Sequence, residues 1–222
     1  MIDIKEMDIA MNGEVLFEKV SLSLSSGSFI VITGESGIGK STFLENIYSL
    51  NHRHNGTVFY EGLPIEEMTE QEKVSIRRKM GIVGQQPYFF KYLNVKDNIG
   101  YRCEDLGWSK EQVKSKVEYI ANFLGISEIL NSLPEQISGG QLQRMTIAME
   151  AINEPKYFFL DEPTSNLDTK NGLKVIDLCL ELKKKGTTIV LVTHDQSVID
   201  YLKSKEAIIY KIEDRKLVKT ID

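Results

Sequence analysis

The sequence predicts an α/β fold: a mainly parallel sheet core, an N-terminal antiparallel β subdomain and an inserted helical subdomain. Three observations carry this. Continuous apolar runs at 29–33 (FIVIT), 157–160 (YFFL) and 187–193 (TTIVLVT) are strand-sized and bounded by polar residues or Gly. Such unbroken runs suit parallel strands covered on both faces. Apolar residues then fall at helical spacing after Gly39 (Phe43, Leu44, Ile47, Leu50) and after Gly140 (Leu142, Met145, Ala148, Met149, Ile152). Finally, the stretch 86–137 is rich in helical pattern, most clearly over 111–124.

Taken in order, the first 30 residues and the run 57–60 read as antiparallel strands with turns. The helical insertion is placed at about 86–155. The tail segments 207–212 and 216–219 read as a hairpin around Glu213, Asp214 and Arg215. With no internal repeat and no low-complexity linker, the 222 residues are expected to form a single domain spanning 1–222.

Composition narrows the function classes. Apolar residues make up 41% and charged residues 27%, as in ordinary globular proteins. A net charge of -5 argues against a surface built for nucleic-acid phosphates, so no nucleic-acid partner is expected. Cys103 and Cys179 lie far apart and fit neither a metal spacing nor a disulfide framework, which suits reduced thiols in a cytosolic protein. The start, Met1 to Glu6, carries acids and no long apolar core, so no signal peptide is expected. No apolar run approaches the roughly 20 residues that cross a bilayer. Any membrane role therefore calls for a second chain.

Gly34-Glu35-Ser36-Gly37-Ile38-Gly39-Lys40-Ser41 fits the phosphate-loop pattern G-x-x-x-x-G-K-[ST], with Thr42 next on the helix. Glycines let the backbone curl so that N–H groups converge on phosphate oxygens, and the helix N-terminus adds positive potential. Lys40 is expected to neutralise β- and γ-phosphates, and Ser41 to give its hydroxyl to Mg²⁺. No Asn-Lys-x-Asp segment for guanine is present. The strand at 157–160 ends in Asp161, Glu162 and Pro163. Ligands of open α/β sheets sit beyond such strand ends, so Asp161 is placed to hold Mg²⁺ and Glu162 to orient or deprotonate a water. Alone, two adjacent acids equally describe a solvated turn; the phosphate loop upstream favours the functional reading.

Ile137-Ser138-Gly139-Gly140-Gln141-Leu142-Gln143-Arg144 resembles the signature of the ABC ATPases, with Ile in place of the usual Leu. Together with the loop and the acidic strand, the resemblance spans nearly the whole chain and implies the ABC ATPase fold on a P-loop NTPase core. It implies that ATP and Mg²⁺ are bound and hydrolysed, and that two subunits, as a homodimer or heterodimer, sandwich the nucleotides head to tail. Ser138, Gly139, Gly140 and Gln141 would then face the γ-phosphate held by the partner. Val83-Gly84-Gln85-Gln86-Pro87 resembles the Q-loop. Gln85, rather than Gln86, is assigned to Mg²⁺ and water, and Tyr88, Phe89 and Phe90 either line a docking groove or pack as core. Ser165-Asn166-Leu167-Asp168 resembles the D-loop, in which Asp168 bridges the halves. Thr193-His194-Asp195 places His194 as the switch histidine at the γ-phosphate. His52 and His54 flank Arg53 in a polar loop and read as solvated rather than as ligands.

The resemblance further implies work with an integral membrane permease, at the cytoplasmic face of the membrane. The leading expectation is a transporter's energising subunit, and the short length resembles stand-alone ATPases of peptide, bacteriocin or lipophilic-compound exporters. The alternative is a non-transport ABC ATPase that regulates a membrane partner, as in the cell-division type. SMC/Rad50-type ATPases insert a long coiled coil between the motifs, and ribosome-associated members place two cassettes in one chain; neither pattern is present. One departure bears on the base. Met11 occupies the slot where family members often stack adenine on an aromatic ring. A thioether still packs on a π face. Looser base recognition is predicted, so titrations should give comparable affinities for ATP and GTP, and a strong preference for ATP would refute it.

Overall fold

Alternation of side chains between two buried faces along the parallel strands decides how the layers stack. The computed structural model describes residues 1–11, 14–50, 55–103 and 106–220, with the Met11 side chain outside the description. His52, Arg53 and His54 also lie outside the described residues. In chain order the strands are β1 (Ile2–Met11), β2 (Glu14–Leu24), β3 (Phe29–Thr33), β4 (Asn55–Tyr60), β5 (Leu63–Pro64), β6 (Met80–Val83), β7 (Tyr157–Asp161), β8 (Thr188–Val192), β9 (Ile208–Glu213) and β10 (Lys216–Lys219). The helices are α1 (Lys40–Tyr48), α2 (Glu70–Arg77), α3 (Val95–Tyr101), α4 (Lys110–Leu124), α5 (Gly139–Ala151), α6 (Thr169–Lys184) and α7 (Gln196–Lys203).

Among the described residues the core sheet has six strands in the order β10-β9-β3-β8-β7-β6. All its pairings are parallel except that of β9 with β10. Ile30, Ile32, Tyr157, Phe159, Val190 and Val192 point to one face and join α1 (Phe43, Leu44, Ile47) and the antiparallel sheet in one buried cluster. Phe29, Val31, Phe158, Leu160, Ile189 and Leu191 point to the other and bury α4, α5, α6 and α7. Both faces are therefore dry, which is why these strands read as unbroken apolar runs. The second sheet, β2-β1-β4-β5, is antiparallel throughout its described strands.

Register sets the site. Ile32 pairs with Val192, Asp161 with Val192, and Val83 with Leu160. The carboxyl ends of β3, β8, β7 and β6 thus form one row, and the loops that follow emerge side by side. The tail hairpin turns at Asp214 and Arg215, which hold φ of 46° and 63°. Paired positive φ values mark the tight turn whose twist matches its flanking strands.

The helical segment is held by local chemistry. Ser109 and Gln112 form a reciprocal capping box on α4, which ends at Gly125 with φ 64°. Cys103 and Cys179 are both buried in the helical-layer cluster. Asn98, fully buried on α3, fixes the bend before its helix. Its Nδ2 donates to the carbonyls of Phe90 (3.0 Å), Leu93 (2.8 Å) and Asn94 (3.1 Å). Its Oδ1 accepts from the Phe90 N–H at 2.8 Å. The motif-based reading did not include β6 or α2: β6 is four residues with no turn signal before it, and α2 is polar apart from Val74 and Ile76. Truncation at Asn98 takes the side-chain partner from the half-buried Phe90 N–H and Leu93 carbonyl and empties a fully buried site. Asn98→Ala should destabilise the fold by about 2–4 kcal/mol, measured as a lower denaturant midpoint with an unchanged m-value.

Candidate active site

Residues 34–42 leave β3 and enter α1 through a loop whose glycines meet specific demands. Gly39 sits at the helix N-cap with φ 103°, and a Cβ there would come within 3.1 Å of Leu16 and Phe17. A side chain is excluded by both conformation and space. Since Gly39 has no capping side chain, the first N–H groups of α1 remain available to an anion. Lys40 is only 6% exposed. Its ammonium is held by the carbonyls of Gly34 (2.9 Å) and Glu35 (2.8 Å), which curl the loop around it.

This loop forms one wall of a cleft of about 530 Å³. Ser36, Gly37, Gly39, Lys40, Ser41 and Thr42 line it on one side. Gln85, Gln143, Asp161, Glu162, Asn166 and His194 line the other. The structure therefore brings together most of the residues the sequence nominated. Gln85 Nε2 donates to Ser41 Oγ at 3.0 Å, linking the end of β6 to the start of α1.

Asp161 closes β7 and is 7% exposed. Burial pushes its carboxyl above the ordinary range; hydrogen bonding from Ser41 opposes this, Glu162 adds to it, and Lys40 and Gln85 oppose it. Its Oδ1 is buried without a hydrogen-bond partner. An orphaned carboxylate oxygen beside a serine hydroxyl and a glutamine amide is a set of hard oxygen donors, which fits Mg²⁺.

Glu162 holds φ 47°, a left-handed conformation costing about 1–2 kcal/mol in a non-glycine residue. Neighbouring bonds over-determine it. Its N–H donates to Val192 O at 2.9 Å, and its carbonyl accepts from Ser165 Oγ at 3.0 Å and from the Ser165 N–H at 3.2 Å. The turn aims the carboxylate across to the end of β8. There His194 Nδ1 donates to Oε1 at 2.6 Å, Thr193 Oγ1 to Oε2 at 3.2 Å and the His194 N–H to Oε2 at 3.4 Å. Positive φ also occurs at other turns of the chain, such as Glu61 and Glu154, so it is the bonds to Thr193 and His194 that distinguish Glu162.

The signature residues lie elsewhere. Ser138 and Gln141 form a capping box on α5, with Gln141 Oε1 accepting at 2.9 Å and Ser138 Oγ at 3.3 Å. Neither they nor Gly139 and Gly140 line the cleft, and Ser138 and Gly139 are exposed. Gly140 packs on the segment that follows Glu162: a Cβ would lie 3.1 Å from Asn166 O. Asp168 caps α6 by accepting from the Asn171 N–H (2.9 Å) and Nδ2 (2.7 Å), which holds its carboxyl below the usual range. Arg144 joins the two, donating to Asn171 Oδ1 at 2.7 Å and to Gly140 O at 3.3 Å. Four lining residues, Gly84, Gln143, Ser165 and Asn166, carried no assigned role in the sequence. Gln143 Nε2 donates to Pro163 O at 3.3 Å and so ties α5 to the acidic turn. Its place two positions after Gln141 on the same helix was the available signal. Met11 ends β1, and its side chain lies outside the described residues.

A phosphate loop, an acidic strand end and a facing histidine on one parallel sheet define a nucleotide-hydrolysing cassette. The sequence profile of the family described as ABC transporter matches residues 17–165, so the chain belongs to the ABC transporter ATP-binding family. It is 37% identical to the lipoprotein-releasing system ATP-binding protein LolD of Aquifex aeolicus over 86% of this chain and 85% of that one. It is 31% identical to the cell division ATP-binding protein FtsE of Streptococcus pneumoniae over 94% of this chain and 89% of that one. Its fold matches the dimeric ATP-binding cassette MJ0796 bound to ADP and Pi, in a post-hydrolysis state. The TM-score is 0.83 at 29% identity, over 99% of this chain and 98% of that one. The protein is an ABC-type ATPase that binds and hydrolyses ATP. Among the described residues no helix is long and apolar enough to cross a membrane.

The buried Asp161 charge generates a stability prediction. Its folded pKa is raised, so its ionisation opposes folding. That penalty is absent below the ordinary carboxylate range and complete once the pH exceeds the raised value. Asp161→Asn should therefore raise the ligand-free Tm at neutral pH and leave it unchanged in acid, while abolishing Mg²⁺-dependent hydrolysis. Thermal scans at two pH values check it.

Proposed function

We propose that this chain is the ATPase subunit of a membrane transporter, acting as a head-to-tail pair whose nucleotide-driven closure powers a separate permease. The observation that carries the pairing is the placement of Ser138 and Gly139: exposed at a helix N-terminus, outside the chain's own cleft. A second copy would bring that N-terminus to the γ-phosphate, where Ser138, the N–H groups of Gly139 and Gly140, and Gln141 would contact it. Asp168, beside the signature helix through Arg144 and Asn171, would meet the same interface.

Within the cleft, the backbone of Gly34, Glu35, Ser36, Gly37, Ile38 and Gly39 would cradle the phosphates while Lys40 leaves its carbonyl contacts to neutralise them. Ser41, Asp161 and Gln85 would hold Mg²⁺, which supplies charge neutralisation on the phosphates. Glu162 orients the attacking water and takes its proton as general base. His194, hydrogen-bonded to that carboxylate, fixes its direction and reaches the γ-phosphate. Negative charge on the transferring group is stabilised by Lys40 and the partner's helix N-terminus. Loss of the shared phosphate reopens the pair, and the membrane partner reads this as a two-state change.

Exposed aromatics support a docking face. Tyr88 is 87% and Tyr92 76% exposed, next to half-buried Phe90. These rings support a peripheral seat at the cytoplasmic face, reached through the membrane partner. A second reading has its own support: similarity to FtsE stands beside similarity to LolD, so regulation of an envelope partner without transport fits the same surface. Glu162→Gln should retain ATP-dependent pairing and lose turnover by about 100-fold or more, measured by size exclusion and phosphate release. Unchanged turnover would remove Glu162 from its role. The same variant, used with ATP and Mg²⁺ as bait in gently solubilised membranes, should recover a multi-spanning permease. A partner with few spans and a large external domain would favour the regulatory reading.

A further inference from the structure

The edge of the core sheet beside the cleft is closed by side chains rather than by another strand. β6 is terminal in the sheet. The Ile82 N–H donates to Glu150 Oε2 at 3.0 Å, and Met80 O accepts from an Arg102 guanidinium N–H at 2.8 Å. Arg102 and Glu150 also pair with each other at 3.0 Å. Glu150 is 16% exposed, and burial pushes its carboxyl up against the opposing pull of Arg102 and the Ile82 N–H. The fit is close: a Cβ on Gly81 would lie 2.6 Å from Glu150 O.

The three elements joined here lead to three different places. β6 runs directly into Gly84 and Gln85, both lining the cleft. Arg102 ends α3, immediately after Tyr101, whose ring lies 4.5 Å from that of Phe90 in the aromatic loop. Glu150 lies near the end of α5, the helix that begins after Ser138. A partly buried ion pair such as this one is weak evidence for stability, since its own attraction is offset by desolvation and solvent screening. What an apolar pair cannot do is bond the backbone of an edge strand.

We propose that Arg102 and Glu150 are positioning residues: they clamp β6 so that Gln85 takes its place from the joint position of α3 and α5. The assignment rests on the reading of Gln85 as a contact to Mg²⁺ and water. A shift of the aromatic loop, or of the signature helix, would then reach Gln85 through a hydrogen-bonded strand rather than through a flexible loop. The chain carries one clamp for two inputs, which makes Gln85 responsive to both.

The test compares Gln85→Ala, the paired change Arg102→Met with Glu150→Met, and all three together, each in the Glu162→Gln background so that binding is read without turnover. Two quantities are measured: hydrogen exchange of segment 80–86 in the ligand-free protein, and the Mg²⁺ concentration that half-saturates ATP binding. The paired change leaves the Ile82 N–H and the Met80 carbonyl without side-chain partners, so it should lower Tm and speed exchange at 80–86 more than in the other strands of the sheet. It should raise the Mg²⁺ requirement about 5-fold, the size expected for coupling residues that touch no ligand. Adding Gln85→Ala should then change nothing further, because both act through one contact. If Gln85→Ala shifts the requirement and the paired change does not, or the effects add, the clamp is refuted. If Gln85→Ala alone moves nothing, the reading of Gln85 itself falls. Should the apolar pair fail to fold, Arg102→Lys, which keeps the charge without the forked reach, is held to the same two measurements and the same outcomes.

Discussion

A carboxylate can face a phosphate only if the strand that carries it ends in the right place and on the right face. Here that depends on the pairing of β7 with β8, in which Asp161 lies opposite Val192. Side chains alternate along a strand, so a slip of one residue would send Phe158 and Leu160 to the wrong layer and turn Asp161 away from the loop. The register is held by burial on both faces, because each face has its own apolar set to satisfy. The backbone bond from Glu162 to Val192 extends the ladder one step beyond the strand and pins the strained turn. Lys40, Ser41 and His194 are positioned by neighbouring strands of the same ladder, so the site inherits its geometry from the sheet.

The division of labour between the layers follows. The antiparallel sheet and α1 cover one face and fix the phosphate loop, with Leu16 and Phe17 pressed against Gly39. The helical layer covers the other and carries the signature, whose first turn is exposed. Because Arg144 and Gln143 tie that helix to Asn171 and Pro163, it is bonded to the acidic turn and to the helix after it. One chain thus presents a phosphate loop on one side and, apart from it, an exposed helix N-terminus, and it is this separation that the proposed pairing of two chains would use.

Much of this was legible in the residues because the chemistry is local. The phosphate loop is contiguous, and the strand before it is five buried residues in a row. The runs ending at Asp161 and before His194 are equally unbroken. The resemblance pointed to Gln85 and His194, which line the same cleft. What escaped the sequence is what depends on distant partners. β6 was unmarked because four residues become a strand only by pairing with β7. Asn98 and Glu150 read as ordinary polar residues on helices; their importance comes from backbone groups that tertiary packing leaves without partners. The left-handed turn at Glu162 is invisible to propensity, since it is set by the backbone bond to Val192 at the end of the neighbouring strand.

The two cysteines give the molecule an unplanned instrument. Burial pushes both thiols up, Cys179 to about 12, so in the folded state neither offers a reactive thiolate near neutrality. Cys103 lies just past α3 in the helical insertion, and Cys179 lies on α6 against the core. Alkylation therefore waits for each shelter to open, and the two sites report on different parts of the chain. Labelling times at the two positions, separated by mass, would show whether the insertion breathes independently of the sheet it is built upon.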